Sequence, residues 1–110
     1  MSHRLEKVNS LLTEEVAKIL LEELEFPRGV LVSVTRAEVT PDLREAKIFV
    51  SVLPFDKHPR VLEVLEKNIY LIQQILNKKL TLKPMPKISF KIDSSIEEMD
   101  KIGRLLDKEE

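Results

Sequence analysis

Apolar residues recur at helical spacing in two long stretches of the chain. In the first, from Leu5 to Leu24, they lie mostly three or four residues apart, which predicts an amphipathic helix that stops at Pro27 and Gly29. The second begins at Pro59, which can occupy the first position of a helix, and its apolar stripe continues to Leu80. Because this run exceeds an average helix, we expect it to be kinked or divided in two.

Three other segments alternate between apolar and polar residues with the period of a half-buried strand. The first starts at Val30 and continues to about Val39, and Thr40-Pro41-Asp42 predicts a turn after it. The second starts near Ala46, so the short connection makes the pair an antiparallel hairpin. The third, residues 87–92, follows a helical crossover, which favours parallel pairing with right-handed chirality.

A final helix is predicted after the third strand. Asp93 suits the chemistry of a helix start, and Ser95 and Glu98 fit a capping box. The residues expected to face the core from this helix are Ile96, Met99, Ile102 and Leu105. The resulting order of helix, strand, strand, long helix, strand and helix predicts an α+β two-layer sandwich, with a mixed three-stranded sheet and helices on one face.

Composition narrows the classes of protein. The 110 residues suffice for one domain, 1–110, of which 107–110 are expected to fray. The absence of Cys excludes disulfides, thiolate nucleophiles and zinc–thiolate sites. Charged residues, 34% of the chain, interrupt every apolar run, and the first residues lack the apolar core of a secretory signal. We therefore expect a soluble cytoplasmic protein with no membrane partner.

Catalytic patterns are missing from the sequence. The two glycines, Gly29 and Gly103, are isolated, which excludes a P-loop and a dinucleotide fingerprint. His3 and His58 lie in no nucleophile–base arrangement, and the acid pairs fall on solvated helix faces. The sequence therefore predicts a protein that is not an enzyme and that binds no cofactor, metal or small-molecule substrate.

The net charge of −1 hides an uneven distribution. The stretch from Asn77 to Ile92 contains no acid, whereas the C-terminal segment and the second half of the first helix are acidic. That stretch contains five lysines: Lys78, Lys79, Lys83, Lys87 and Lys91.

Alternation places Lys47, Lys87 and Lys91 on the sheet face away from the helices, together with Phe49. Such a face could bind phosphates through lysine and the hydroxyls of Ser51 and Ser89, with the Phe49 ring available to stack on a base. An ordinary solvated face, on which lysines prevent edge pairing, explains the same residues at least as well.

Three stretches together carry a resemblance to a known family. Residues 39–52 contain a hairpin motif, VTPDLREAKIFVSV, and residues 86–95 contain a final-strand motif, PKISFKIDSS. The opening, Arg4 to Leu20, adds a less specific amphipathic helix. In this order and spacing, the stretches resemble ribosome-binding factor A of bacteria over nearly the whole chain.

The resemblance implies a type II KH-like fold, α-β-β-α-β-α, whose long helix is kinked. It also implies a monomer, neither an enzyme nor dependent on a cofactor, that binds the small (30S) ribosomal subunit and its 16S rRNA during late maturation and rRNA end processing.

The family's kink contains an Ala-x-Gly sequence in the long helix, and this chain departs from it. The corresponding residues are Asn68-Ile69-Tyr70, so both the small residue and the glycine are missing. Either Asn68 supports a break, since asparagine competes for backbone hydrogen bonds, or the helix runs straight. We favour the break, because a long straight helix would overrun a three-stranded sheet.

The lysine-rich stretch predicts RNA binding through phosphate contacts, with shape rather than base edges setting specificity. Asn68 and Tyr70 could contact an exposed base, although the core is the favoured place for Tyr70. A protein-interaction module that uses its sheet face or an edge strand is the alternative. The predicted RNA-binding residues are Arg4, Lys7, Arg44, Lys47, Lys67, Asn68, Tyr70, Lys78, Lys79, Lys83, Lys87 and Lys91.

Overall fold

The structure, a computed structural model, describes residues 2–95, 98 and 99. Its strand order is β1-β2-β3, with β1 and β2 antiparallel and β2 and β3 parallel. The predicted α+β architecture with a mixed three-stranded sheet is therefore confirmed. The elements are α1 (Ser2–Glu23), β1 (Leu31–Val39), β2 (Glu45–Leu53), a 3-10 turn (Phe55–Lys57), α2 (His58–Lys67), α3 (Ile69–Lys79) and β3 (Lys87–Ile92).

One face of the sheet and the inner faces of the helices form the core. In β2, the side chains of Ala46, Ile48 and Val50 are at most 1% exposed, and they alternate with the exposed Lys47 and half-buried Phe49. The helices contribute side chains of which none is exposed by more than 1%: Leu12, Val16, Ile19, Val61, Leu65, Ile72 and Leu76. No helix in the described part of the chain is long and apolar enough to cross a membrane.

β1 contains a β-bulge that the alternation pattern did not predict. Val34 pairs with Val50 of β2, but Arg36 pairs with the adjacent residue Phe49, so Thr35 is one residue too many for the ladder. The bulge reverses which residues face the helices: Val34 does so before it and Ala37 after it. In the sequence, the bulge is visible as a change from even-numbered apolar positions, Val32 and Val34, to odd-numbered ones, Ala37 and Val39.

The long helical segment is interrupted at Asn68, as we favoured from the sequence. The backbone of Asn68 has φ −105° and ψ 10°, which lies outside the α-helical region. Its side-chain Nδ2 donates to the carbonyl of Val64 at 2.8 Å, and its backbone N–H approaches the carbonyls of Val64 and Leu65, each at 3.2 Å. Asparagine thus ends α2 with its own side chain, and the interruption needs no glycine.

The segment after β3 follows its prediction in part, because Ser95, Glu98 and Met99 are helical and Asp93 bonds to the backbone at the start of this helix. Asp93 Oδ1 accepts hydrogen bonds from the backbone N–H of Ser95, at 3.0 Å, and from its hydroxyl. The hydroxyl of Ser95 is therefore committed to Asp93, while the N–H of Glu98 donates to the carbonyl of Ser94. The predicted capping box is wrong, and Met99 is 71% exposed instead of facing the core. Residues 96, 97 and 100–110, with Ile96, Ile102, Leu105 and the expected fraying of 107–110, lie outside the described residues.

Candidate nucleic-acid interface

Three segments that are distant in sequence converge where β2 and β3 begin. The start of α1, the β1–β2 turn and the α3–β3 connection line one cavity with a volume of about 30 Å³. That volume holds little more than one water molecule, so the segments pack closely. Arg4, Leu43 and Lys83 all line it, and the backbone N–H of Lys87 donates to the carbonyl of Arg44 at 2.8 Å. Arg4, Arg44, Lys83 and Lys87 therefore lie at one end of the molecule.

Further lysines extend this cluster. Lys78 and Lys79 occupy the last turn of α3, which leads into the connection that contains Lys83, and Lys7 lies one turn after Arg4. We call the set the cationic end. Its members are Arg4, Lys7, Arg44, Lys78, Lys79, Lys83 and Lys87, and all seven residues are exposed.

Within the described residues, no side chain of the cationic end forms an ion pair. Within the described residues, the ion pairs join Lys18 to Glu14 and Glu15, and Arg36 to Glu38 and Asp93. None of them involves a residue of the cationic end. Because clustered cations without carboxylate partners create a positive potential, this end of the molecule can attract a polyanion.

The β1–β2 turn is built by hydrogen bonds that include the backbone N–H of Arg44. The hydroxyl of Thr40 donates to Asp42 Oδ1 at 2.6 Å, and the same oxygen accepts the backbone N–H of Arg44 at 3.1 Å. The hydrogen bond from Thr40, followed by that from Arg44, lowers the pKa of Asp42 below its ordinary value. Leu43 completes the turn with a φ of 62°. Asp42 is therefore a turn former, as predicted.

Gln73 of α3, which is not among the predicted site residues, ties that helix to β3. Its Nε2 donates to the carbonyl of Pro86 at 3.0 Å, and its Oε1 accepts the backbone N–H of Ile88 at 2.9 Å. Two glutamines, Gln73 and Gln74, lie between the apolar Ile72 and Ile75, so the local pattern did not single out Gln73. This double contact fixes α3 against β3, and so holds the lysines of its last turn relative to Lys87.

Lys67, Asn68 and Tyr70 form a separate group at the α2–α3 junction. Asn68 lies about 16 Å from Lys79 along α3, from the rise of 1.5 Å per residue. The expectation that Tyr70 packs in the core is wrong: its side chain is 75% exposed, because Ile69 and Ile72 take the inward positions at the start of α3. The Asn68 amide nitrogen is occupied by Val64, whereas the ring of Tyr70 is open to solvent.

The open sheet face carries the lysines that the alternation predicted there. Lys47 is exposed and lies opposite Ser89, and the exposed Lys91 lies opposite Phe49. The prediction that the Phe49 ring is available for stacking is wrong, because the guanidinium of Arg36 lies over it at 3.8 Å from the ring centroid.

Arg36 is itself held in place over Phe49. Its Nη1 donates to Asp93 Oδ2 at 2.9 Å, and the same oxygen accepts the hydroxyl of Thr35 at 2.7 Å. The hydroxyl of Ser95, then that of Thr35, and least of all the charge of Arg36, lower the pKa of Asp93 to about 2. The bulge of β1 is thus joined to the end of β3 by contacts between residues that are 57 and 58 positions apart in the chain, which no local pattern predicts.

Comparisons with known proteins agree with this fold. Residues 4–106 match the family model described as "Ribosome-binding factor A". A relative of that name from Thermomicrobium roseum is 37% identical over 106 residues, covering 96% of this chain and 82% of the relative. Another, from Desulforamulus reducens, is 35% identical over 107 residues, covering 96% of this chain and 89% of the relative.

A solved structure supports the same assignment. The solution NMR structure of a Thermotoga maritima protein assigned to ribosome binding factor A matches with a TM-score of 0.58 and 29% identity. The match covers 76% of this chain and 85% of that protein. Sequence and fold thus agree over most of the chain, which belongs to the ribosome-binding factor A family.

Proposed function

We propose that this chain is a non-enzymatic assembly factor that binds the small (30S) ribosomal subunit and its 16S rRNA during late maturation and rRNA end processing. It acts in the cytoplasm as a monomer of one domain and requires no cofactor. The cationic end supplies its main contact with rRNA. Membership of a family of ribosome-associated factors supports the ribosome as the partner.

The observation that carries this proposal is the convergence of cations from three separate segments. Arg4, Arg44 and Lys83 come from α1, the β1–β2 turn and the α3–β3 connection, and none is engaged by a carboxylate within the described residues. A phosphate backbone can contact several such groups at once, with the release of condensed counterions. Their positions on a packed scaffold favour recognition of a particular RNA shape.

The two other groups of predicted residues extend the contact. At the α2–α3 junction, Lys67 can contact a phosphate and the exposed ring of Tyr70 can stack on an unpaired base. On the open sheet face, Lys47 and Lys91 can contact phosphates, with Ser89 beside Lys47.

The experiment replaces Lys78, Lys79 and Lys83 together by alanine and measures co-sedimentation with immature small subunits over a range of salt concentrations. If each lysine contacts one phosphate, the slope of log K against log salt decreases by about one unit per lysine removed. The three residues are exposed, so the variant is expected to fold, which circular dichroism verifies.

A triple variant with the same change of charge provides the control. Arg28, Lys57 and Arg60 are exposed cations outside the cationic end, and their replacement by alanine is expected to leave the salt slope nearly unchanged. An unchanged affinity and slope in the Lys78/Lys79/Lys83 variant would contradict the proposal. It would favour a module that docks through protein contacts alone.

A further inference from the structure

An apolar groove separates the second half of α1 from the beginning of β1. Its volume is about 470 Å³, and its lining includes Leu20, Leu21, Leu24, Phe26, Val32 and Val34. Leu21 is 85% exposed, and Leu31 at the start of β1 is 61% exposed. Exposed aliphatic side chains gathered in this way are typical of a surface that binds a partner.

The outer edge of β1 borders this groove and exposes backbone N–H and C=O groups. The N–H of Asp93 donates to the carbonyl of Val50, so Val50 is turned towards β3. Val34, which lies opposite Val50, is therefore turned away from β2, and so is Val32 two residues earlier. Across residues 2–95, 98 and 99, the outward N–H and C=O groups of Val32 and Val34 find no hydrogen-bond partner.

Two other outward N–H groups of the edge strands have hydrogen-bond partners. The N–H of Val39, further along the same edge, donates to Asn9 Oδ1 at 2.8 Å, and Gln73 accepts the N–H of Ile88 on β3. Edge strands are usually also protected by charged residues, but residues 31–35 carry no charge. The first half of β1 is thus suited to pair with an additional strand.

The charge near the groove indicates the chemistry of the segment that would pair with β1. Between Glu14 and Arg28 the chain has five glutamates against two cations, and one of these, Lys18, is already paired with Glu14 and Glu15. Glu14 precedes Leu21 by two helical turns and so shares its face of α1. An apolar groove beside a segment with an excess of glutamates favours a cationic partner with apolar side chains.

Two occupants from the chain itself lack this complementarity. Residues 100–110 contain four acids and three bases, so they do not supply an excess of positive charge. A second copy paired edge to edge would bring the same glutamates together across the two-fold axis.

We propose that this groove binds an extended, lysine- or arginine-rich segment of a partner protein, which adds as a strand to the outer edge of β1. Its backbone pairs with Val32 and Val34, its side chains on the helix side of the sheet are apolar and enter the groove beside Leu21, and its cations complement the excess of glutamates between Glu14 and Arg28. Leu21 lies about 25 Å from Arg4 along α1, so this peptide and a polyanion at the cationic end can bind together.

The test uses the full chain, labelled with ¹⁵N, and a seven-residue peptide of alternating lysine and valine. The peptide is expected to shift the amide signals of Val32 and Val34 and to slow their hydrogen exchange. Binding is expected to weaken as the salt concentration rises, because attraction between the peptide lysines and the nearby glutamates contributes to it. The matched peptide of alternating glutamate and valine is expected not to bind.

Variants locate the contact. Leu21→Lys places a cation in the groove and removes apolar contact, so we expect the peptide to bind at least about tenfold more weakly. Leu71→Lys changes an exposed leucine of α3 outside the groove and leaves binding unchanged. The Lys78/Lys79/Lys83→Ala variant also binds the peptide normally, which separates this proposal from the proposed RNA contact.

Several results would overturn the proposal. One is the absence of shifts at Val32 and Val34, or equal binding of the glutamate peptide. Another is protection of both amides from exchange in the dilute free protein, which would mean that the chain's own C-terminal segment covers the groove. Protection that appears only at high protein concentration, with a dimer in sedimentation, would identify a second copy as the occupant.

Discussion

The carboxylate of Asp93 joins the end of β3 to the bulge of β1, so its replacement tests how much this contact stabilises the fold. Asp93→Asn keeps the size of the side chain but removes the charge that accepts hydrogen bonds from Ser95, Thr35 and Arg36. The Asp93 side chain is only 10% exposed, whereas that of Arg36 is 46% exposed. We therefore expect the hydroxyl and amide hydrogen bonds, more than the ion pair, to carry the effect.

The size of the effect follows from the pKa of Asp93. Folding lowers this pKa from 3.8 to about 2, and one pKa unit corresponds to about 1.4 kcal/mol. The ionised Asp93 side chain thus contributes about 2 kcal/mol to the free energy of unfolding at neutral pH. Because the folded pKa is depressed, this contribution is present in full above about pH 4 and is lost as the pH falls towards 2.

Urea denaturation at a series of pH values measures this difference. At pH 7 we expect the variant to be less stable than the wild type by about 2 kcal/mol, which for a domain of this size corresponds to roughly 10 °C in Tm. The two proteins are expected to converge between pH 4 and pH 2. Asp56→Asn, at an exposed position, serves as the control and is expected to change stability by less than about 0.5 kcal/mol. A difference between wild type and Asp93→Asn that does not depend on pH would refute the reasoning.

Two further substitutions test contacts that set the geometry of the helices. Gln73→Met leaves the carbonyl of Pro86 and the N–H of Ile88 without a partner, so it is expected to lower the free energy of unfolding in urea by about 1–3 kcal/mol. The control, Gln74→Met at an exposed position, is expected to lower it much less. Equal effects of the two substitutions would contradict a role for Gln73 as an anchor. Asn68→Ala removes the side-chain hydrogen bond to the carbonyl of Val64 and favours a continuous helix. In NMR spectra of this variant, the ¹³Cα shift of residue 68 is expected to be typical of a helix. A shift that stays non-helical would show that packing alone maintains the interruption.

Much of the fold could be predicted because its elements are encoded by local patterns. The stripe of α1, the alternation of β2 and the turn at Thr40-Pro41-Asp42 each depend on residues that are neighbours in sequence. The interruption at Asn68 was also accessible, because the competition of its side chain for a backbone carbonyl acts within one helical turn.

Predictions failed where contacts between distant segments decide the outcome. The ring of Phe49 was expected to be open, but Arg36 of the neighbouring strand covers it, and Asp93, just after β3, holds Arg36 there. The inward expectation for Tyr70 failed because the interruption of the helix sets which side chains of α3 face the core. In both cases the local sequence admits more than one arrangement.

The candidate interface shows the same division. The amino-acid sequence by itself determined which residues carry positive charge and that residues 77–92 contain no acid, since charge is a property of each side chain. Only the tertiary structure decided that Arg4 and Lys83 line one cavity near Arg44, while Lys67 lies at the far end of α3. The physical reason is that side chains far apart in sequence meet only through the packing of helices on the sheet, which no short segment of the chain encodes.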